Sequence, residues 1–104
     1  MVYTEPAFTI GIEEEYLLVD LDTRDLVIEP PDSLMAEMAS LLGGQVSPEF
    51  LRSQIEVGTR VCETSADARA ELARLRRGVA EVAKRHGMAP IAASPSARPP
   101  SVIW

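Results

Sequence analysis

The sequence predicts an α+β protein in which an antiparallel or mixed sheet carries its helices on one face. Two observations support this prediction. Two segments alternate apolar and polar residues with a period of two, which is typical of strands that bury one side. Two others place apolar residues three and four positions apart, which is typical of amphipathic helices. With 104 residues the chain forms one domain at most, or a piece of one.

The first strand is predicted over residues 8–20. Its even positions form an apolar face that includes Phe8, Ile10, Ile12, Tyr16 and Leu18. Its odd positions carry Thr9, Gly11, Glu13 and Glu15, and further along the apolar Leu17 and Val19. A polar turn over 20–25 and a short returning strand over 26–29 complete a predicted β-hairpin, which Pro30 and Pro31 end.

A short helix is predicted next, beginning at Asp32 or Ser33 as the cap and running to Leu42. Its inward residues are predicted to be Leu34, Met35, Met38, Leu41 and Leu42. Gly43 and Gly44 end it, and 47–49 is expected to be a brief turn. A second strand follows over 52–62, with Ile55, Val57, Thr59 and Val61 on one face and Arg52, Gln54, Glu56, Gly58 and Arg60 on the other.

The long helix is predicted over 66–86, with Thr64 and Ser65 as caps and Gly87 as its stop. Its apolar stripe consists of Ala68, Leu72, Leu75, Val79, Val82 and His86. A third major strand over 88–93 and a proline-rich loop over 94–100 complete the order β-β-α-β-α-β.

Composition excludes several classes of function. The net charge of −6 argues against binding to nucleic acid or to anionic membranes, which needs clustered cations. The one cysteine, Cys62, excludes an internal disulfide and favours a reducing compartment. Because no apolar run approaches the length of a membrane span, the expected location is the cytoplasm.

Three glutamates are candidate ligands for a cation. Glu13 and Glu15 are two residues apart on one strand, so their side chains leave the same face about 7 Å apart. Glu56 lies on the polar face of the second strand and would join them if the two strands are neighbours. Mg²⁺ prefers such oxygen ligands. The alternative is an ordinary acidic surface. Glu14 falls by parity on the apolar face, where it needs an arginine or lysine partner or a local twist.

These residues also lie in two blocks that resemble a known family. Residues 9–20 (TIGIEEEYLLVD) and 51–62 (LRSQIEVGTRVC), followed by a long Ala/Leu/Arg helix, resemble the YbdK-type carboxylate–amine ligases of the second glutamate–cysteine ligase family. The resemblance implies a fold related to glutamine synthetase. It also implies an ATP-dependent reaction in which the γ-carboxylate of glutamate is phosphorylated and an amine, classically that of cysteine, displaces the phosphate.

The resemblance assigns residue roles as well. It implies that Glu13, Glu15 and Glu56 bind Mg²⁺ or Mn²⁺, and that Gln54, Thr59 and Arg60 are substrate-side candidates in the matching block. Glu49 is a weaker match to a further acidic position.

Members of this family are several-fold longer, so the chain is expected to be an N-terminal portion of an incomplete catalytic domain, whether as a fragment, a truncated gene product or one subunit of a split enzyme. Such a portion is too short to act alone. Two hypotheses follow: this portion contributes part of a ligase active site, or it is a non-catalytic module. The module would self-associate or bind a complementing chain through its sheet. A third alternative is a plain small domain whose acidic face has no role.

Overall fold

The computed structural model describes residues 9–48 and 54–92, and within these ranges the chain forms four strands, two α-helices and a short 3₁₀ helix over Gly43–Gln45. The elements are β1 (Glu13–Asp20), α1 (Asp32–Leu42), β2 (Val46–Pro48), β3 (Gln54–Gly58), α2 (Ser65–Arg85) and β4 (Met88–Ala92). The strands form one sheet in the order β2-β3-β1-β4, and each neighbouring pair is antiparallel. The predicted α+β class with an antiparallel sheet is confirmed.

The core lies between one face of the sheet and the two helices. On β1 the alternation buries Tyr16 and Leu18 completely, and on β3 it buries Ile55 and Val57. The helices contribute the remaining large side chains, which are Leu34, Met38, Leu42, Leu72, Leu75, Val79 and Val82. Because both helices cover this one face, the alternating polar residues of β1 and β3 lie on the other face.

Helix α2 follows its prediction closely. The Thr64 side-chain oxygen accepts a hydrogen bond from the Asp67 backbone N–H at 3.0 Å, which satisfies one of the free donors of the first turn. The helix ends at Arg85 with His86 as its C-cap, and Gly87 then adopts a φ of +72°, which residues other than glycine disfavour. Among the described residues, no helix is long and apolar enough to cross a lipid bilayer.

The predicted hairpin is only partly formed. The turn is present: the Asp20 N–H donates to the Asp25 carbonyl at 2.8 Å, and Asp20 Oδ1 accepts from the backbone of Asp22. The prediction of a returning strand at 26–29 is wrong, since that segment makes only an isolated bridge between Val19 and Leu26. Strand β3 already pairs with β1 from Glu13 to Leu17, so little of that edge is left for a second partner.

The order of elements is therefore β-α-β-β-α-β, because one predicted strand is lost and another is gained. The gained strand is β2, which was expected to be a turn at 47–49. Its three residues pair with β3 at the edge of the sheet, which is where strands tolerate a proline such as Pro48.

Three smaller predictions about single residues are also wrong. Pro31, rather than Asp32 or Ser33, is the residue that precedes α1, and no side chain caps that helix. Leu41 is half exposed because the last turn of α1 contacts α2 through Leu42. Val61 is 69% exposed because β3 ends at Gly58, before Val61 is reached. The predicted loop at 94–100, Glu49 and Arg52 lie outside the described residues.

Candidate functional site

The outer face of the sheet carries all three glutamates that the sequence singles out. In the register of β1 and β3, Glu15 lies directly opposite Glu56, and Glu13 lies opposite Gly58 on the same face. Glu13 and Glu15 are exposed, and Glu56 is half-buried, with Ser47 of β2 opposite it on its other side. The neighbouring strands that the prediction assumed are therefore present, and they place three carboxylates on one surface.

Glu14 lies on the opposite side of β1, toward the helices, and pairs with an arginine, which is one of the alternatives that its position left open. Arg76 of α2 donates from Nε to Glu14 Oε1 at 2.8 Å and from Nη2 to Glu14 Oε2. The Tyr16 hydroxyl donates to the same carboxylate at 2.6 Å. The hydrogen bonds from Arg76 lower the pKa of Glu14, while burial and the Glu14 carboxylate raise the pKa of Tyr16. This ion pair fastens β1 to α2 between Glu13 and Glu15.

The three substrate-side candidates have different surroundings. Gln54 lies on the outer face of β3, two residues from Glu56 and opposite Leu17 of β1. Thr59 fastens the chain beyond β3: its Oγ1 accepts from the Ile12 N–H, and its own N–H donates to the Ile12 carbonyl, both at 2.9 Å. Arg60 extends into solvent with 78% of its side chain exposed.

A cleft of about 340 Å³ lies at the outer face of the sheet. Acidic, basic and amide side chains all occur in its lining. The lining residues are Glu13, Gly44, Gln45, Ser47, Glu56, Gly58, Thr59 and Arg60. Four of the six predicted site residues line it. Glu15 and Gln54 are not part of the lining, although both lie on the same face of the sheet.

One cluster beside the cleft was not predicted. Glu71 of α2 is 6% exposed, and its Oε1 accepts from Gln45 Nε2 at 2.7 Å and from Arg74 Nη2 at 2.9 Å. The hydrogen bonds from Arg74 and then Gln45 lower the pKa of Glu71 to about 2. A signal existed in the sequence, because Glu71 lies three residues after Ala68 and four before Leu75, and a charge beside an apolar stripe needs a partner.

The donor set of the outer face suits a hard divalent cation in chemistry, since carboxylate oxygens are the ligands Mg²⁺ prefers. Opposed carboxylates such as Glu15 and Glu56 also repel each other, and a cation between them would relieve this. The side chains do not converge on one point, however: within the described ranges, no three acidic, histidine or cysteine residues are close enough to hold a metal ion. The face therefore fits part of a metal site that needs further ligands or small side-chain movements.

Comparison with known proteins gives a consistent result. The family model of glutamate–cysteine ligase family 2 (GCS2) matches residues 9–102. A relative from Rhodospirillum rubrum is 58% identical over 94 residues, which cover 86% of this chain and 24% of that relative. A relative from Jannaschia sp. is 61% identical over 92 residues, covering 88% and 24%. One from Chloroflexus aggregans is 45% identical over 93 residues, covering 84% and 22%.

Each of these three relatives carries the name "Putative glutamate--cysteine ligase 2". The chain spans 24% or less of the length of each of them.

Proposed function

Because this chain belongs to glutamate–cysteine ligase family 2, we propose that it supplies part of the metal-binding active site of an ATP-dependent carboxylate–amine ligase. The reaction proposed is transfer of the γ-phosphoryl group of ATP to the γ-carboxylate of glutamate. The amine of cysteine or of another substrate then attacks the resulting acyl phosphate and releases phosphate. The single observation that carries the proposal is the register that places Glu13, Glu15 and Glu56 on one face.

In this proposal the three glutamates hold Mg²⁺ or Mn²⁺ with their carboxylate oxygens. A bound divalent cation supplies positive charge that neutralises the phosphate oxygens during transfer. Arg60 is exposed at the same cleft and can donate hydrogen bonds to an anionic substrate group. Gln54 provides an amide on the same face, two residues from Glu56. Thr59 keeps its hydroxyl proton as a donor, since its oxygen accepts the Ile12 N–H.

The metal assignment can be tested on the chain itself. Mn²⁺ affinity is measured by electron paramagnetic resonance for the wild type and for Glu13→Gln, Glu15→Gln and Glu56→Gln. Each substitution removes one oxygen ligand and one negative charge, so we expect the affinity to fall by about tenfold or more. Glu81→Gln is the matched control, since Glu81 is 66% exposed on α2, which covers the other face of the sheet. Equal affinity in the wild type and Glu15→Gln would overturn the assignment.

The reaction class requires a protein of the relatives' length. Residues 9–102, which the family model matches, can replace their counterpart in the Rhodospirillum rubrum relative, to which the chain is 58% identical over 94 residues. We expect the chimera to release ADP in a reaction that depends on ATP, glutamate and an amine such as cysteine. A folded chimera without turnover beside an active parent would contradict the proposal for this chain, and an inactive parent would contradict the reaction class.

A second candidate function is a non-catalytic module that self-associates or binds a complementing chain. The observation that favours it is the pair of sheet edges at β2 and β4, neither of which pairs with a further strand among the described residues. Multi-angle light scattering over a range of concentrations tests this function. A concentration-dependent rise in mass is expected, whereas a constant monomer mass would contradict self-association.

A further inference from the structure

The cluster of Glu71, Gln45 and Arg74 is a closed triangle of hydrogen bonds beside the candidate site. Gln45 and Arg74 both donate to Glu71 Oε1, and Arg74 Nη2 also donates to Gln45 Oε1 at 2.6 Å. Each side chain thus contacts the other two, so none of them can turn without breaking two contacts. A buried carboxylate with this number of donors is firmly ionised and fixed in orientation.

The triangle is joined to the cleft at two points. Gln45 Nε2 donates to the Gly58 carbonyl at 3.2 Å, which ties the end of β3 to α2. The Arg60 guanidinium lies 3.6 Å from Glu71 Oε2, which forms an ion pair between the cluster and a residue of the cleft lining. Gln45, Gly58 and Arg60 all line this cleft together with Glu13 and Glu56.

The contact between Arg60 and Glu71 is weaker than the others in the cluster. At 3.6 Å it is an ion pair longer than a normal hydrogen bond, and 78% of the Arg60 side chain remains exposed. Arg74 already neutralises Glu71 at 2.9 Å. The guanidinium of Arg60 therefore has a long ion pair to Glu71 on one side, while most of its planar set of N–H donors still faces solvent and can bind a second oxyanion.

We propose that Glu71, with Gln45 and Arg74, is a positioning residue that holds Arg60 at the cleft so that its guanidinium binds a substrate oxyanion, either a phosphate or a carboxylate. This inference rests on the proposed function, because the oxyanion lies beside the glutamates assigned to the cation. A cation held by those glutamates would supply further positive charge to the anion that Arg60 binds.

The test measures oxyanion binding directly, without turnover, by nuclear magnetic resonance of the Arg60 side-chain Nε–H in the 104-residue chain with Mg²⁺ present. Inorganic pyrophosphate and glutamate are titrated separately, and the tighter of the two identifies a phosphate or a carboxylate as the ligand. We expect the Arg60 resonance to shift with saturation for one of them. If neither shifts it, the proposal is overturned.

The positioning role is tested with a charge-neutral pair of substitutions, Glu71→Gln with Arg74→Gln. We expect the affinity for the oxyanion to fall about fivefold, and we expect no further fall when the pair is added to Arg60→Ala. The matched control is Glu81→Gln with Arg85→Gln, which removes an exposed ion pair of 3.0 Å from the same helix and should leave the affinity unchanged. An equal fall in the presence and absence of Arg60 would mean a structural role only and would overturn the proposal.

A milder variant covers the case in which the neutral pair fails to fold. Arg60→Lys keeps the charge at an exposed position but loses the planar fork, so we expect folding to be preserved and oxyanion affinity to fall by about fivefold. Arg77→Lys is its control. Wild-type affinity in Arg60→Lys would overturn the assignment of Arg60. Mn²⁺ affinity is measured on the same proteins to separate the two proposals. A failed metal site shows as weak Mn²⁺ binding, whereas a failed Arg60 assignment shows as unchanged oxyanion affinity in Arg60→Lys.

Discussion

Replacing Arg76 by methionine removes the partner of a carboxylate that lies on the core side of β1. Methionine keeps an unbranched stem of similar length but donates no hydrogen bond, so Glu14 loses both Arg76 donors and keeps the Tyr16 hydroxyl as its donor within the described part of the chain. We expect the free energy of unfolding to decrease, because a partly buried carboxylate without its cation is poorly solvated.

The size of this decrease follows from the exposure of the pair. A hydrogen bond to a charged group contributes about 1.5–3 kcal/mol when it is buried. The side chains of Glu14 and Arg76 are 23% and 43% exposed, so water partly replaces the lost contact. Screening by solvent favours the lower end, about 1.5 kcal/mol. For a domain of this size that corresponds to a fall in melting temperature of roughly 6–12 °C.

Urea unfolding followed by circular dichroism measures the effect in Arg76→Met, in Glu14→Gln and in the double variant. Glu14→Gln should cost less than Arg76→Met, because the glutamine oxygen still accepts from Tyr16 and Arg76 still reaches water. The double variant should cost less than the sum of the two by at least about 0.5 kcal/mol, which is the coupling energy of the pair.

Arg77→Met is the control for this prediction, since Arg77 is exposed on the same helix and its loss should change stability by no more than about 0.5 kcal/mol. Equal stability of Arg76→Met and Arg77→Met would mean that the ion pair between Glu14 and Arg76 does not stabilise the fold. Strict additivity of Glu14→Gln and Arg76→Met would mean the same.

Three further predictions concern packing, capping and pH. Gly78→Ala gains up to about 1 kcal/mol of helix propensity, but its Cβ would lie 2.7 Å from Leu42 Cδ2 in the buried contact between the helices. Overpacking costs about 1–3 kcal/mol, so calorimetry should show a lower melting temperature for Gly78→Ala, and adding Leu42→Val should reduce that loss. A melting temperature of Gly78→Ala above that of the wild type would contradict this. Thr64→Ala should lower stability by about 1 kcal/mol in urea titrations and Thr64→Ser by much less; equal losses would exclude a capping role. The pKa values of Glu71, at about 2, and of Glu14 are both depressed, so the contribution of each is present above about pH 4.5 and is lost as the pH falls below it, in the case of Glu71 toward pH 2. Urea titrations at several pH values should therefore show a shallower acid loss for Glu71→Gln than for the wild type, and parallel curves would be the contrary result.

Much of the fold follows from local patterns that the sequence displays. The stripe from Ala68 to Val82 determines α2, because only a helix brings residues spaced by three and four onto one face. The alternation around Tyr16 determines which side of β1 is buried. It also places Glu13 and Glu15 together on the outer side, and it places Glu14 on the buried side, where a carboxylate needs a cationic partner or a local twist.

Other features depend on competition between segments, which periodicity does not report. Residues 26–29 have the apolar character of a strand, but β3 pairs with most of the β1 edge that they would need. Residues 46–48 form a strand despite Pro48 because β1 pairs with one edge of β3 and the other edge is available to them.

The candidate site divides in the same way. Spacing in the sequence placed Glu13 and Glu15 on one face, since a strand has a fixed period of two. Only the tertiary structure decided that Glu56 lies opposite Glu15, because strand register is set by long-range pairing. It alone brought Glu71 to Gln45 and Arg60, which are 26 and 11 residues away in the chain. The position of Glu71 beside an apolar stripe indicates from the sequence that this charge needs a partner. Which partner it contacts depends on how α2 packs against the sheet.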